Sequence, residues 1–299
     1  MYGVYPIGSE PIGAAPAYVA PAAVAAERCL FLSSREIDRA TIVGSTEVSS
    51  LPMSYLQDLQ PQKKWRLTSK VDQYLQLTLY RPVACNTVAI TASNFTCSAV
   101  VRVLASNDFA ALASAPAFNS GWMSVWPTSG KPSIEDWPSF TCIIRFSNTS
   151  AYKYWRIEVA DPGAETTYIE IGRLLIGQAF QPRFNVDVNV GLGLTSPDAQ
   201  ARTPFARTYT DPRGDASRRL VLPISAVNDT DMKRSLFELQ RYCGLARDFV
   251  FSLDPAATTD LYLYTLQGLF TEGAQFEAQP LWDTTAQLWR TSLTITEPL

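Results

Sequence analysis

Three tryptophans, Trp122, Trp126 and Trp137, share one stretch rich in Gly, Pro and Ser. Indole faces displayed on the loops of a β-structure stack on the apolar faces of pyranose rings, so these residues are candidate carbohydrate contacts. Packing inside a core or an interface is the other reading of the same residues. A second concentration of chemistry is basic. Arg202, Arg207, Arg213, Arg218 and Arg219 crowd a segment whose acids are Asp198, Asp211 and Asp215. Guanidinium groups there would clamp carboxylates of a neighbouring chain or touch phosphates. The net charge of −3 and the lack of interleaved aromatics favour subunit contact over nucleic acid. Arg202, Arg207, Arg213 and Arg218 are therefore candidate interface residues, and no sequence-specific nucleic-acid binding is expected.

The chain contains no histidine, which excludes Ser-His-Asp and Cys-His mechanisms and imidazole metal sites. Paired carboxylates for glycoside hydrolysis would have to come from acids such as Glu135, Asp136, Glu158 and Glu170, held about 5–10 Å apart. Sequence spacing alone does not supply that geometry. Gly191-Leu192-Gly193-Leu194 lacks the later Gly, the Lys-Ser/Thr pair and the following helix of a phosphate loop. Arg213-Gly214-Asp215 sits in an ordinary turn context. The expectation is a protein with no catalytic residues, no cofactor and no metal.

The elements that must position these groups are mostly strands. A length of 299 residues, 46% apolar and 18% charged, suggests two domains with sizeable cores. Residues 1–27 repeat Pro-Ile-Gly and run through Ala and Pro, predicting an extended arm. Its apolar side chains, Tyr5, Ile7 and Ile12 among them, are candidate subunit contacts. The same segment lacks a basic start and is interrupted by prolines, which argues against a signal peptide. No apolar run reaches the ~20 residues of a membrane span. Five widely spaced cysteines are expected to be reduced, buried thiols.

From 28 to 178 short runs of period-2 texture, Tyr74 to Tyr80, Val88 to Ile90, Ala99 to Leu104, Cys142 to Phe146 and Tyr154 to Val159, predict an all-β sandwich with Trp65 and Trp155 in its core. From 179 to 299 the pattern predicts a second β domain. It has a strand over Phe184–Val190, a long loop over 191–217, a return strand from Arg219, and further strands over 248–253, 261–270, 273–280 and 288–296. One helix is predicted over 229–243, where Met232, Leu236, Leu239 and Cys243 form a single stripe. Asn228 or Thr230 would cap it and Gly244 would end it.

Residues Leu59-Gln60-Pro61 before Lys64-Trp65-Arg66, Asn86 to Ile90 with Asn94, Arg102-Val103 with Ser106-Asn107-Asp108, and Tyr154 to Val159 resemble a discoidin-like (factor 5/8 C-type) β-sandwich. The cysteine pair of extracellular members is not evident. Tyr5-Pro6-Ile7-Gly8 with Pro11-Ile12-Gly13 looks like the opening of minor tail proteins of long-tailed phages, and the C-terminal order of elements is similar to tail-tube and distal-tail domains. These resemblances imply a mainly β fold, a discoidin-like sandwich plus a tail-tube-like β-barrel or sandwich with one packed helix and an extended N-terminal arm. The implied role is that of a structural virion protein of the phage tail tip, made in the bacterial cytoplasm. It would form a ring with other copies of itself and join the tail tube protein to tail-tip hub or fibre proteins. The alternative is a carbohydrate-binding module that recognises host cell-surface polysaccharide. A glycosidase acting on the host envelope is a third class.

Overall fold

The computed structural model describes residues 28–127, 130–131, 140–202, 208–211, 214, 216–257, 259, 261–279 and 287–298, with the backbone alone for 199–202. The expected 1–27 arm, with Tyr5, Ile7 and Ile12, lies outside them. The fold is mainly β, built from antiparallel sheets. In the first half the strands are β1 (Leu30–Ser33), β2 (Thr41–Gly44), β3 (Trp65–Arg66), β4 (Gln73–Val83), β5 (Thr87–Thr91), β6 (Val100–Ser106), β7 (Phe118–Ser124), β8 (Thr141–Arg145), β9 (Tyr152–Ala160), β10 (Glu170–Ile171) and β11 (Arg173–Gly177). In the second they are β12 (Gly191–Thr195), β13 (Ala199–Arg202), β14 (Thr208–Asp211), β15 (Ser217–Asn228), β16 (Phe249–Ser252), β17 (Thr265–Phe270), β18 (Glu277–Gln279) and β19 (Leu288–Thr296).

A five-stranded sheet of order β2-β4-β9-β6-β7 faces a three-stranded sheet β11-β5-β8. Alternation decides which side chains meet. Along β4 Leu75, Leu77 and Leu79 point inward, and along β9 Trp155, Ile157 and Val159 do the same. Trp65 and Trp155 are both buried in this core. Strands β5 and β11 are buried at every position. A sheet reads this way when both of its faces are covered, and the second cover is the sheet of the C-terminal half: β1 lies on β11, and β17 on β8.

That C-terminal sheet has seven strands in the path β1-β16-β17-β19-β15-β12, with β18 on β19. Strand β1 falls inside the 28–178 range expected to form the sandwich. It is hydrogen-bonded instead to β16, pairing Phe31 with Phe251 and Leu32 with Val250. The physical reason is two-sided apolarity. Leu30, Leu32 and Val250 join the sandwich core, while Phe31, Phe249 and Phe251 join a second core with Leu222, Leu266, Phe270 and Ile295. The helical segment runs through Asp229–Asp231, a π-turn at Met232–Leu236 and Phe237–Cys243, and buries Met232, Leu236, Leu239 and Cys243 on that second core. Asn228 caps it by accepting from the Asp231 backbone N–H, and Gly244 ends it at a φ of 52°.

The expected strand over Phe184–Val190 is irregular, and Gly191–Thr195, expected as loop, is an edge strand. Pro223 supplies the reason: β15 pairs with β12 as far as Val221, and beyond it Pro223 offers a carbonyl, taken by the Asp187 N–H, but no N–H in return. The long loop also contains the β13–β14 hairpin, pairing Ala199 with Asp211. The expected strand over 261–270 begins as a helical turn at Leu261–Tyr264, and within 273–280 the strand covers Glu277–Gln279. Four cysteines are buried free thiols as expected, but Cys97 is exposed. Burial pushes the thiols of Cys29 and Cys243 up to about 12.

Candidate functional site

The outer face of the five-stranded sheet carries the side chains that the inward alternation leaves over. One cross-strand row runs Trp122 on β7, Arg102 on β6, Glu158 on β9 and Tyr74 on β4, fixed by the pairings Arg102 with Trp122, Arg102 with Glu158 and Tyr74 with Glu158. Arg156, two residues before Glu158, shares the same face. The carboxylate of Glu158 is the hinge of the row: Arg102 Nε donates to it at 2.7 Å and Arg156 Nε at 2.7 Å. Each arginine then lies over an aromatic ring, Arg102 over Trp122 at 4.8 Å and Arg156 over Tyr74 at 3.7 Å. Further along the face Tyr154 meets Phe109 edge to face at 5.4 Å.

Strand β7 is the edge of its sheet and is bulged, with a register shift opposite Arg102–Leu104. Gly121 takes a φ of 71° there, and Ser120 Oγ accepts the Val103 N–H at 2.9 Å. Such a bulge rotates the strand locally and re-aims the next side chain. The result is an indole that is 49% exposed with the fixed Arg102 guanidinium against it. The row offers an apolar ring face and N–H donors side by side, which suits a polyhydroxylated surface.

The three tryptophans of the sequence reading are not brought together as one platform. Trp126 is 7% exposed and packs edge to face on Phe140 at 5.8 Å, so it belongs to the core. Trp137 lies outside the described residues. What sequence reasoning missed is the support for Trp122: Arg102, Glu158, Arg156 and Tyr74 sit at matching positions on strands whose register only the fold supplies. Strict alternation along β4 and β9 does mark their outward direction.

The basic segment also divides. Arg218 is 2% exposed and turned inward, with Nε and Nη2 on Glu297 at 3.0 and 2.7 Å and Nη1 on the Thr265 carbonyl at 3.0 Å. An interface role for it is corrected by that burial: its donors close the C-terminal sheet from within. Arg202 belongs to β13, and Arg207 and Arg213 lie outside the described residues.

Of the acids considered for glycoside chemistry, Glu158 is held by two arginines and Glu170 is paired with Arg66 and Lys64. Glu135 and Asp136 lie outside the described residues, and among the described residues no cluster of Cys, Asp and Glu is arranged to hold a metal ion. A recess of about 550 Å³ at the loop end is lined by Asn94, Thr96, Ser98 and Thr166. The hydroxyls of Thr96 and Ser98 donate to the buried carboxylate of Asp161, at 2.5 and 2.7 Å, and no aromatic ring lines the recess.

No protein-family model matches the sequence, and no curated protein matches it. Among solved structures, a family 32 carbohydrate-binding module from Clostridium perfringens NanJ in complex with galactose is similar at 12% identity and a TM-score of 0.34, over 51% of this chain and 99% of that one. A chitosan-binding module of a chitosanase/glucanase from Paenibacillus sp. IK-5 is similar at 16% identity and a TM-score of 0.34, over 49% and 98%. A family 89 glycoside hydrolase from Clostridium perfringens is similar at 11% identity and a TM-score of 0.35, and there the match spans 14% of the other chain. These likenesses cover about half of this chain, and at such TM-scores they carry no function across.

Proposed function

We propose that the chain is a non-catalytic binding protein whose sandwich domain contacts a polysaccharide on a host cell surface. The observation that carries this reading is the exposed Trp122 ring set beside Arg102, in a row tied down through Glu158, Arg156 and Tyr74. A ring that is held rigidly loses little entropy when a sugar stacks on it, and the adjacent guanidinium supplies directional donors to hydroxyls. A glycan array with the full chain and its Trp122→Ala variant tests it. Binding that the variant loses supports the reading, and a silent array overturns it.

A second reading, the ring-forming tail-tip protein of a long-tailed phage, is favoured by a different observation. The edge strand β12 is exposed at every position, with Leu192 and Leu194 on one face, and Tyr209 of the β13–β14 hairpin is 63% exposed. An open edge with apolar side chains is a natural template for another chain. In a ring of identical copies such contacts are heterologous and close by rotation. Electron micrographs of the purified protein test this reading: closed rings support it, and monomers at every concentration count against it.

A further inference from the structure

Between the sandwich and the 229–243 helix lies a cavity of about 390 Å³, floored by Phe31, Leu32, Phe180 and Leu239. Its wall carries one acid that the fold does not satisfy. Glu36 is 8% exposed, yet its Oε2 has no hydrogen-bond partner. Leaving a buried carboxylate oxygen unpaired is costly, so such an atom marks a place where a donor is missing. The same wall holds Arg35, Arg81 and Arg234. Among the described residues none of the three has a carboxylate within ion-pair distance, and the Nε of Arg35 is itself buried without a partner. The other acid on the wall, Glu238, is engaged by Arg241 through both oxygens.

We infer that this cavity binds a sugar acid: a monoanionic, polyhydroxylated ligand of monosaccharide size whose carboxylate takes the arginines and whose hydroxyl donates to Glu36 Oε2. The volume is within the range of pockets that enclose small ligands. The charge pattern selects the class. Three guanidinium groups call for an anion and offer the fork geometry that a planar carboxylate fits. The nearby Glu36 disfavours a dianion such as a phosphate monoester, and it requires a ligand that also brings an O–H. The site is separate from the Trp122 face, since its residues come from the 35–38 turn, the end of β4, the end of β11 at Gly177 and the helix. The inference therefore does not depend on the polysaccharide reading.

Calorimetric titration of the full chain with glucuronate, glucose, acetate and inorganic phosphate tests it. Glucuronate is expected to bind and the other three to bind at least about tenfold more weakly, each lacking one half of the match or adding a charge. Arg81→Gln should weaken glucuronate about tenfold or more, and Glu36→Gln should reduce the preference for glucuronate over acetate, both with an unchanged circular dichroism spectrum. Absence of glucuronate binding, equal binding of acetate or phosphate, or unchanged binding by a folded Arg81→Gln protein overturns the inference. Trp122→Ala should leave glucuronate binding in the cavity intact, which separates its failure from failure of the outer-face reading.

Discussion

Arg173 and Asp248 form a bidentate ion pair, Nε to Oδ2 at 2.8 Å and Nη2 to Oδ1 at 2.6 Å, in which neither side chain reaches solvent. Arg173 belongs to sandwich strand β11, and Asp248 immediately precedes β16 of the C-terminal sheet. Nη1 donates to the Leu56 carbonyl and Nη2 also to Asp38, while Gln267 donates to Asp248. Burial works against the charge of Arg173, and the hydrogen bonds and charges of Asp248 and Asp38 outweigh it, holding the guanidinium above its ordinary value. The two halves of the chain are thereby joined by a charged contact whose geometry admits no sliding.

Removing one partner leaves the other charged and buried. Asp248→Ala should therefore cost about 3–5 kcal/mol of stability, read from urea denaturation. A loss below about 1 kcal/mol would mean that water or Asp38 compensates for the missing carboxylate.

The two described tryptophans of the turn-rich stretch should separate by assay. Trp122→Ala should change stability by less than about 1 kcal/mol, since the ring is half exposed, while abolishing any polysaccharide binding. Trp126→Ala removes a core ring and should cost about 3–5 kcal/mol in the same denaturation experiment. Equal effects of the two would dissolve the distinction between surface row and core.

Glu36 gives a pH signature. Burial raises its carboxyl above the ordinary 4.5, against the charges of Arg81, Arg35 and Arg39, and Arg234, Glu238 and Tyr242 face the same cavity from the helix. A folded-state value above the unfolded one means that the protonated form is favoured by folding. That stability is complete below 4.5 and is lost as pH rises through the elevated folded value. Glu36→Gln stays neutral throughout, so its Tm should exceed that of the parent at pH 7 and converge with it near pH 4. A constant offset across that window would exclude the titration of Glu36 as its cause.

The β13–β14 hairpin, whose second strand is exposed, should be dispensable for folding. Replacing residues 199–211 by a short Gly-Ser linker removes β13 and β14, which among the described residues pair with each other and with no other strand. The variant should keep the parent's circular dichroism and Tm within a few degrees and lose any ring seen by electron microscopy. Rings that survive the deletion would assign assembly to another surface.

Gly172 sits where a side chain has no room. A Cβ there would lie 2.3 Å from the Pro61 carbonyl oxygen, which is backbone and cannot swing away. Gly172→Ala should destabilise by about 1–3 kcal/mol, and a neutral effect would show that the Pro61 segment yields.

Much of this architecture is legible in the residues themselves. The alternation of Tyr74 to Tyr80 gives both a strand and its inward face, and the Met232-Leu236-Leu239-Cys243 stripe gives a helix with its buried side. Other features depend on contacts between residues far apart in the chain. Cys29 to Ser33 carries apolar side chains on both faces, and no local rule says that one face belongs to each core. Phe184–Val190 alternates as a strand should, and fails because Pro223 on the neighbouring strand lacks a donor. Arg218 looks like a surface cation until Glu297, near the end of the described chain, is brought to it. Trp122 is legible as an aromatic on a turn-rich stretch, but its partners on β6, β9 and β4 depend on strand register.

The placement of β1 also sets an order of events during synthesis. The strand leaves the ribosome before the edge it pairs with, Phe249 to Ser252, and every strand of the sandwich emerges between the two. Until then Phe31 lacks its neighbours Phe249 and Phe251, and the outer side of β11 lacks Val250. A nascent sandwich thus carries uncovered apolar surface until the partner edge arrives, a sequence separation that a four-residue strand imposes on the order of folding.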